Sequence, residues 1–277
     1  MHSEGGARRA WDDSPSRSEA PCPYGLCDGS GFTVEEETNT ASDCRCRPLR
    51  IAKRRAAQLE ARIPRRYLLT SFEQLEGDTL AAFPEQIRVV RRYVRDLPAN
   101  LDEGRGLWIT GDVGTGKTAL AMLASKAALD AGRTVAIYSL PRLLDLMRDL
   151  MKESVQREGG LIGFLDTLCA VDLLHIDDVG AENRTDWVIE QLYSIVNTRY
   201  EEQRSIVFTT NLDLDELREQ IGVRTVSRLA EMCGDPLPLF GEDRRIPTIE
   251  VAAEERSDAF GQTQHGVSQA VWPSLPR

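Results

Sequence analysis

The eight residues Gly111-Asp112-Val113-Gly114-Thr115-Gly116-Lys117-Thr118 fit the pattern G-x-x-x-x-G-K-[ST]. A short apolar run, Gly106-Leu107-Trp108-Ile109-Thr110, precedes them and reads as a buried strand, and residues 117–131 read as the helix that follows. A glycine-rich turn arising by chance would have to match both the string and its two flanking elements. In this setting the glycines let the backbone curl until its N–H groups point at phosphate oxygens, with the positive end of the next helix adding to the field. Lys117 is placed to neutralise the β- and γ-phosphates of ATP, and Thr118 to ligate magnesium. The cradle predicts nucleotide binding. Hydrolysis is a separate question, because a kinase or a nucleotide-locked scaffold would use the same cradle.

Outward from this turn, apolar runs alternate with helical patterns. Residues 134–139, 173–176 and 205–210 are strand-like, whereas 84–97, 117–131, 141–153, 186–203 and 215–233 have helical spacing. Strands alternating with helices imply a parallel α/β sheet flanked by helices, whose ligands bind at the carboxyl edge of the strands. Leu173-Leu174-His175-Ile176 ends there in Asp177-Asp178-Val179-Gly180. Asp177 suits the magnesium-side carboxylate and Asp178 the group that polarises an attacking water; the bland alternative is a pair that caps a strand-to-helix turn. His175 reads as a satisfied buried histidine without a role. Asn211 ends the next strand at the same edge, either as a turn residue or within reach of the γ-phosphate. Arg224 and Arg228, four apart, share a helix face and suit either surface ion pairing or action in trans on a neighbour's nucleotide.

The amino-terminal part has a different character. Cys22 and Cys27, then Cys44 and Cys46, form two close pairs across a Gly- and Pro-bearing loop, a spacing able to make a tetrahedral zinc site with four thiolate ligands. The spacing is looser than a doubled C-x-x-C, so four unmetallated thiols are the alternative. Cys169 and Cys233 sit alone in apolar surroundings and read as ordinary buried cysteines. Between residues 45 and 66, Arg45, Arg47, Arg50, Lys53, Arg54, Arg55, Arg62, Arg65 and Arg66 face only one acid, Glu60. Ala52, Ala56, Leu59 and Ile63 recur at helical spacing, which predicts an amphipathic basic helix ended by Pro64. Its cationic face either tracks nucleic-acid phosphate or is simply solvated.

The whole chain of 277 residues is acidic, with 34 Lys and Arg against 44 Asp and Glu and a net charge of −10, which excludes a uniformly basic nucleic-acid coat. No apolar run approaches the roughly 18–20 residues that span a bilayer, and the first residues hold no apolar signal core, so a cytoplasmic location without membrane partners is expected. Residues 1–20 and 252–277 lack periodicity and are expected to be disordered tails.

These features together resemble the AAA+ ATPases of the DnaC/DnaI/IstB group, the bacterial replicative helicase loaders and transposition helper ATPases. The resemblance covers roughly residues 63–250. It begins at Ile63-Pro64-Arg65-Arg66-Tyr67 with Ser71-Phe72 and runs through the phosphate loop. It continues in Asp177-Asp178-Val179-Gly180-Ala181-Glu182, Trp187, Asn197-Thr198-Arg199-Tyr200, Thr210-Asn211-Leu212, Ser227-Arg228-Leu229 and Gly241-Glu242-Asp243-Arg244-Arg245.

The resemblance implies a P-loop NTPase of the AAA+ (ASCE) type over 67–251, after a zinc-binding module at 21–47 and a basic helical linker at 48–66. It also implies that Asn211 is the first sensor, that Arg228, with Arg224 beside it, is the arginine finger, and that the cysteine module contacts a helicase. The implied activity is ATP-dependent helicase loading, in a homo-oligomer that contacts single-stranded DNA. A transposition helper acting on duplex DNA would have nearly the same ATPase domain. The Asp-Asp pair in place of the usual Asp-Glu keeps a nucleotide-locked adaptor with negligible turnover in view, and little sequence remains for a helical lid with a second sensor arginine.

Overall fold

A computed structural model describes residues 22–35, 38, 40–57, 59, 61–77, 81–153 and 160–243. The two expected tails, Arg244 and Arg245, and the side chains of Ala52 and Arg55 lie outside the described residues. In chain order the elements are β1 (Phe32–Glu35), β2 (Thr40–Asp43), α1 (Arg47–Ala56), a 3-10 turn (Arg65–Tyr67), α2 (Phe72–Gly77), α3 (Pro84–Arg95), α4 (Leu97–Asp102) and β3 (Leu107–Gly111). Then come α5 (Lys117–Asp130), β4 (Val135–Ser139), α6 (Leu140–Glu153), α7 (Gly160–Ala170), β5 (Leu173–Val179), α8 (Asp186–Glu201), β6 (Ser205–Thr210), α9 (Leu214–Ile221), α10 (Val223–Cys233) and β7 (Leu237–Leu239).

Strands β3 to β7 form one parallel sheet in the order β4-β5-β6-β3-β7, as the alternation of strands and helices predicts. Successive strand side chains point to opposite faces. Leu107, Ile109, Val135, Ile137, Leu173 and Val207 pack on one face against α3, α4 and α5. Trp108, Ala136, Tyr138, Leu174, Ile176 and Phe208 pack on the other against α6 to α10. Both faces are covered, which is why these strands read as continuous apolar runs.

Three expectations are corrected. The basic helix ends at Ala56 rather than at Pro64, and Leu59 and Ile63 are buried beyond it. Ala56 and Leu59 pack into the core shared with α7 and α8, and Ile63 into the core on the other face. The helix therefore leads straight off the cysteine module at Arg47 and is anchored on the sheet domain. The helix expected over 215–233 is two helices, because Gly222 adopts φ +90°, a left-handed conformation that ends α9 before α10 begins. The helix expected over 84–97 stops at Arg95, where Asp96 separates it from α4.

At the other end of α9, Asp213 accepts hydrogen bonds from the Asp215 and Glu216 N–H groups, while Glu216 accepts one from Asp213 N–H in return. This reciprocal cap is worth about 1 kcal/mol and sets the helix start. The fully buried Arg199 ties the layers together by donating to the carbonyls of Leu168, Cys169, Val171 and Ser205, so its charge meets the negative end of α7.

His175 is fully buried on the α5 side, where its Nδ1 lies 2.8 Å from Ser125 Oγ and its Nε2 has no partner among the described residues. Burial pushes its pKa down to about 4. The folded state keeps the ring neutral, while the unfolded chain takes up a proton below its ordinary pKa of about 6.5. Stability should be complete above that pH and should fall by up to roughly 3 kcal/mol as pH drops towards 4. Denaturant midpoints measured against pH for wild type and His175→Leu should differ in slope over this window; parallel curves would contradict a neutral His175.

Candidate nucleotide site and cysteine module

The phosphate loop sits where β3 meets α5, at the carboxyl edge of the sheet. Gly116 is the residue before the first helical turn and takes φ +99°, which side-chain-bearing residues rarely adopt. Thr115 Oγ1 donates to Asp112 O at 2.8 Å and pins the curl from inside. The buried Lys117 folds back over the loop, with Nζ donating to Gly111 O at 2.9 Å and Asp112 O at 2.6 Å. Beside it opens a cleft of about 430 Å3 lined by Lys117, Thr118, Asp178, Asn211, Tyr67 and Thr70, among others. That volume lies within the roughly 300–1,000 Å3 of small-molecule and cofactor sites.

Four predicted residues, Lys117, Thr118, Asp178 and Asn211, thus converge from three different strand ends. Gly114, Gly116 and Val113 line the same cleft. Arg66, Tyr67 and Thr70 form another wall; Arg66 and Tyr67 belong to the Arg65-Arg66-Tyr67 stretch of the resemblance, whereas Thr70 has no signal in the sequence.

The carboxylate pair has a specific backbone setting. In the pairing of β5 with β6, Ile176 faces Phe208 and Val179 faces Thr210, so Asp177 and Asp178 together stand opposite Thr209 alone. This bulge turns Asp178 into the left-handed region at φ +56° and points it into the cleft. Thr209 Oγ1 donates to Asp177 Oδ1 at 2.6 Å and accepts from Asp178 N–H at 3.0 Å. The neighbouring threonines secure Asn211: Thr210 Oγ1 donates to Val179 O and accepts from Leu212 N–H, and Thr110 Oγ1 donates to Leu212 O. In the sequence these threonines look like ordinary strand formers. Their signal is three hydroxyls at the polar ends of two otherwise apolar strands.

Arg224 and Arg228 lie on α10 and do not line the cleft of their own chain. Arg224 is exposed. Arg228 stacks its guanidinium on two rings of α8, 5.0 Å from the Tyr193 centroid and 5.7 Å from that of Tyr200, whose hydroxyl donates to Glu231 at 2.8 Å.

In the amino-terminal module the four cysteine sulfurs lie within 4.8 Å of one another. Cys22 and Cys44 are 3.8 Å apart at sulfur, and Cys27 and Cys46 3.5 Å. A tetrahedron with zinc–sulfur bonds of about 2.3 Å has edges of about 3.8 Å, so the spacing fits a zinc ion; a disulfide would need about 2.05 Å. Burial pushes the Cys22 thiol up, but the N–H groups of Leu26, Tyr24 and Cys27 outweigh it and bring the pKa down to about 6. At Cys27 burial is likewise outweighed by the N–H groups of Gly29 and Gly31. Cys46, raised to about 12 chiefly by burial, has Arg50 of α1 as a hydrogen-bond partner that favours its thiolate. The thiols of Cys169 and Cys233 are raised by burial and are inert by comparison.

A parallel sheet with a phosphate loop, a carboxylate pair on the next-but-one strand and a polar residue ending the strand between defines a P-loop ATP-binding protein of the AAA+ type. The chain belongs to the family of IstB-like ATP binding proteins, whose model matches residues 82–229, more than half of it.

The chain is 28% identical over 139 residues to the replicative helicase loader DnaC of Escherichia coli K12, which covers 50% of this chain and 54% of DnaC. It is 26% identical over 197 residues to the replicative helicase loader DnaI of Bacillus subtilis, covering 62% and 61%. The chain thus spans between half and two thirds of these relatives. The crystal structure of the DnaC helicase loader is similar with a TM-score of 0.54 at 27% identity, covering 64% of this chain and 99% of that one. The replication initiator DnaA bound to AMPPCP and single-stranded DNA shares the fold, with a TM-score of 0.52 at 22% identity, covering 65% and 51%. The cysteine module precedes the family-matched span.

Proposed function

We propose that this chain is an ATP-dependent loader of a replicative DNA helicase, working in the cytoplasm as a homo-oligomer that contacts single-stranded DNA. The observation that carries this reading is the likeness to DnaC, in sequence and in fold, around a cleft where Lys117, Thr118, Asp178 and Asn211 meet. In this reading residues 21–47 are the zinc module, 48–66 the basic linker and 67–251 the ATPase domain. No helix of the described residues is long and apolar enough to cross a membrane.

The residues have distinct tasks. The loop amides from Gly111 to Gly116 and the Lys117 ammonium hold the ATP phosphates. Thr118 and, through water, Asp177 would hold Mg2+, which neutralises charge developing on the phosphates. Asp178 polarises the attacking water, and Asn211 orients it against the γ-phosphate. Arg228, with Arg224 beside it, reaches the nucleotide of a neighbouring copy and stabilises transition-state charge.

The match to the IstB-like ATP binding family keeps a second reading in view, a transposition helper acting with a transposase on duplex DNA. The cluster of four cysteines favours the loader, as a partner-docking module. The test is delivery of a replicative helicase onto single-stranded DNA without a free end, which should require both this chain and ATP.

A further inference from the structure

At the bulge that carries Asp177 and Asp178, one side chain meets both residues. The bulge sets two residues against one, and Asp178 sits at φ +56°, where a residue with a side chain is held only if its surroundings fix it. Thr209 is fully buried directly opposite, and its single hydroxyl serves both neighbours: it accepts from the Asp178 N–H at 3.0 Å and donates to Asp177 Oδ1 at 2.6 Å. A hydroxyl is the smallest group that can do both at once. Donation to one oxygen of Asp177 also fixes the rotation of that carboxylate.

We infer that Thr209 is a positioning residue for magnesium and water. Through Asp177 it orients the oxygen that takes the metal's water shell, and through the Asp178 backbone it holds the polarising carboxylate in the cleft. Partners of this kind typically change metal affinity or activity by about 10–100-fold when removed. The inference rests on the ATPase reading above and adds to it a specific group on which magnesium use depends.

The experiment compares wild type, Thr209→Val, Thr209→Ala and Thr209→Ser. Steady-state ATP hydrolysis is titrated with Mg2+, and binding of a fluorescent ATP analogue is measured in EDTA as a control for fold and cradle. Valine keeps the shape and alanine leaves space, but both lose the hydroxyl; serine keeps it. Half-saturating Mg2+ should rise about 10–100-fold in the valine and alanine variants, with kcat reduced, metal-free nucleotide binding unchanged and serine close to wild type. Unchanged Mg2+ dependence in whichever of the two hydroxyl-free variants binds nucleotide would overturn the inference while leaving the ATPase reading intact. A wild type without Mg2+-dependent turnover would overturn the ATPase reading, and the inference with it.

Discussion

Replacing Lys117 with alanine is expected to lower ATP turnover by about 10²–10³-fold or more, with or without single-stranded DNA. Its ammonium is buried, and its neighbours are the carbonyls of Gly111 and Asp112 at the mouth of the loop. A charge so enclosed acts through a low local dielectric, so its attraction for phosphate oxygens is far greater than that of a surface lysine. The substitution removes charge and donor together, leaves no buried charge behind, and should spare the fold. Phosphate release and binding of a fluorescent ATP analogue should both collapse, while the circular dichroism spectrum stays the same. Turnover that persists in Lys117→Ala would mean that the phosphates are held elsewhere. A wild type that binds ATP but shows no Lys117-dependent turnover in any condition would leave the nucleotide-locked adaptor.

Removing zinc is expected to unfold the segment from Cys22 to Cys46. The hydrophobic cluster of this module consists of Cys22, Cys44 and Cys46 with Cys27 packed against them, and its only sheet among the described residues is the two-stranded β1-β2 hairpin. An isolated hairpin is marginal in water, so metal binding would supply the folding free energy, about 10–16 kcal/mol for structural zinc in small peptides. Purified protein should contain one zinc per chain. Chelation, or Cys44→Ser, should release it and expose the amides of Phe32–Glu35 and Thr40–Asp43 to rapid hydrogen exchange. Nucleotide binding should survive, because no cysteine of the cluster lines the nucleotide cleft. Protein without zinc whose hairpin exchanges as slowly as before would contradict a metal-built module.

The chemistry of the cleft was legible because it depends on a few residues at fixed spacing. The string from Gly111 to Thr118 needs glycine where the backbone turns back, and the apolar strands on either side announce a buried sheet. The bulge was not legible. Two aspartates after an apolar strand look like the end of that strand, whereas β5 continues through them to Val179. Only pairing with β6 reveals the extra residue and the task of Thr209.

The break at Gly222 was obscured by apolar spacing that suits a helix on both sides; the left-handed glycine decides it. The hairpin and α7 were missed for opposite reasons. The hairpin is exposed and carries little apolar alternation, while Leu161, Ile162, Phe164 and Leu165 crowd α7 with apolar side chains all round. The aromatic seat of Arg228 had a readable signal, since Tyr193 and Tyr200 are seven residues apart and share a face of α8. Nothing local to Arg228 announces it.

The loader assignment is tested most directly by helicase transfer onto closed circular single-stranded DNA. Helicase, this chain and ATP are mixed with the circle, and DNA-bound helicase is counted after a high-salt wash. ATP and wild-type protein together should raise bound helicase well above either alone, and Lys117→Ala and Cys44→Ser should each return it to background. Helicase bound equally well without this chain, or in full with Lys117→Ala, would contradict the loader assignment.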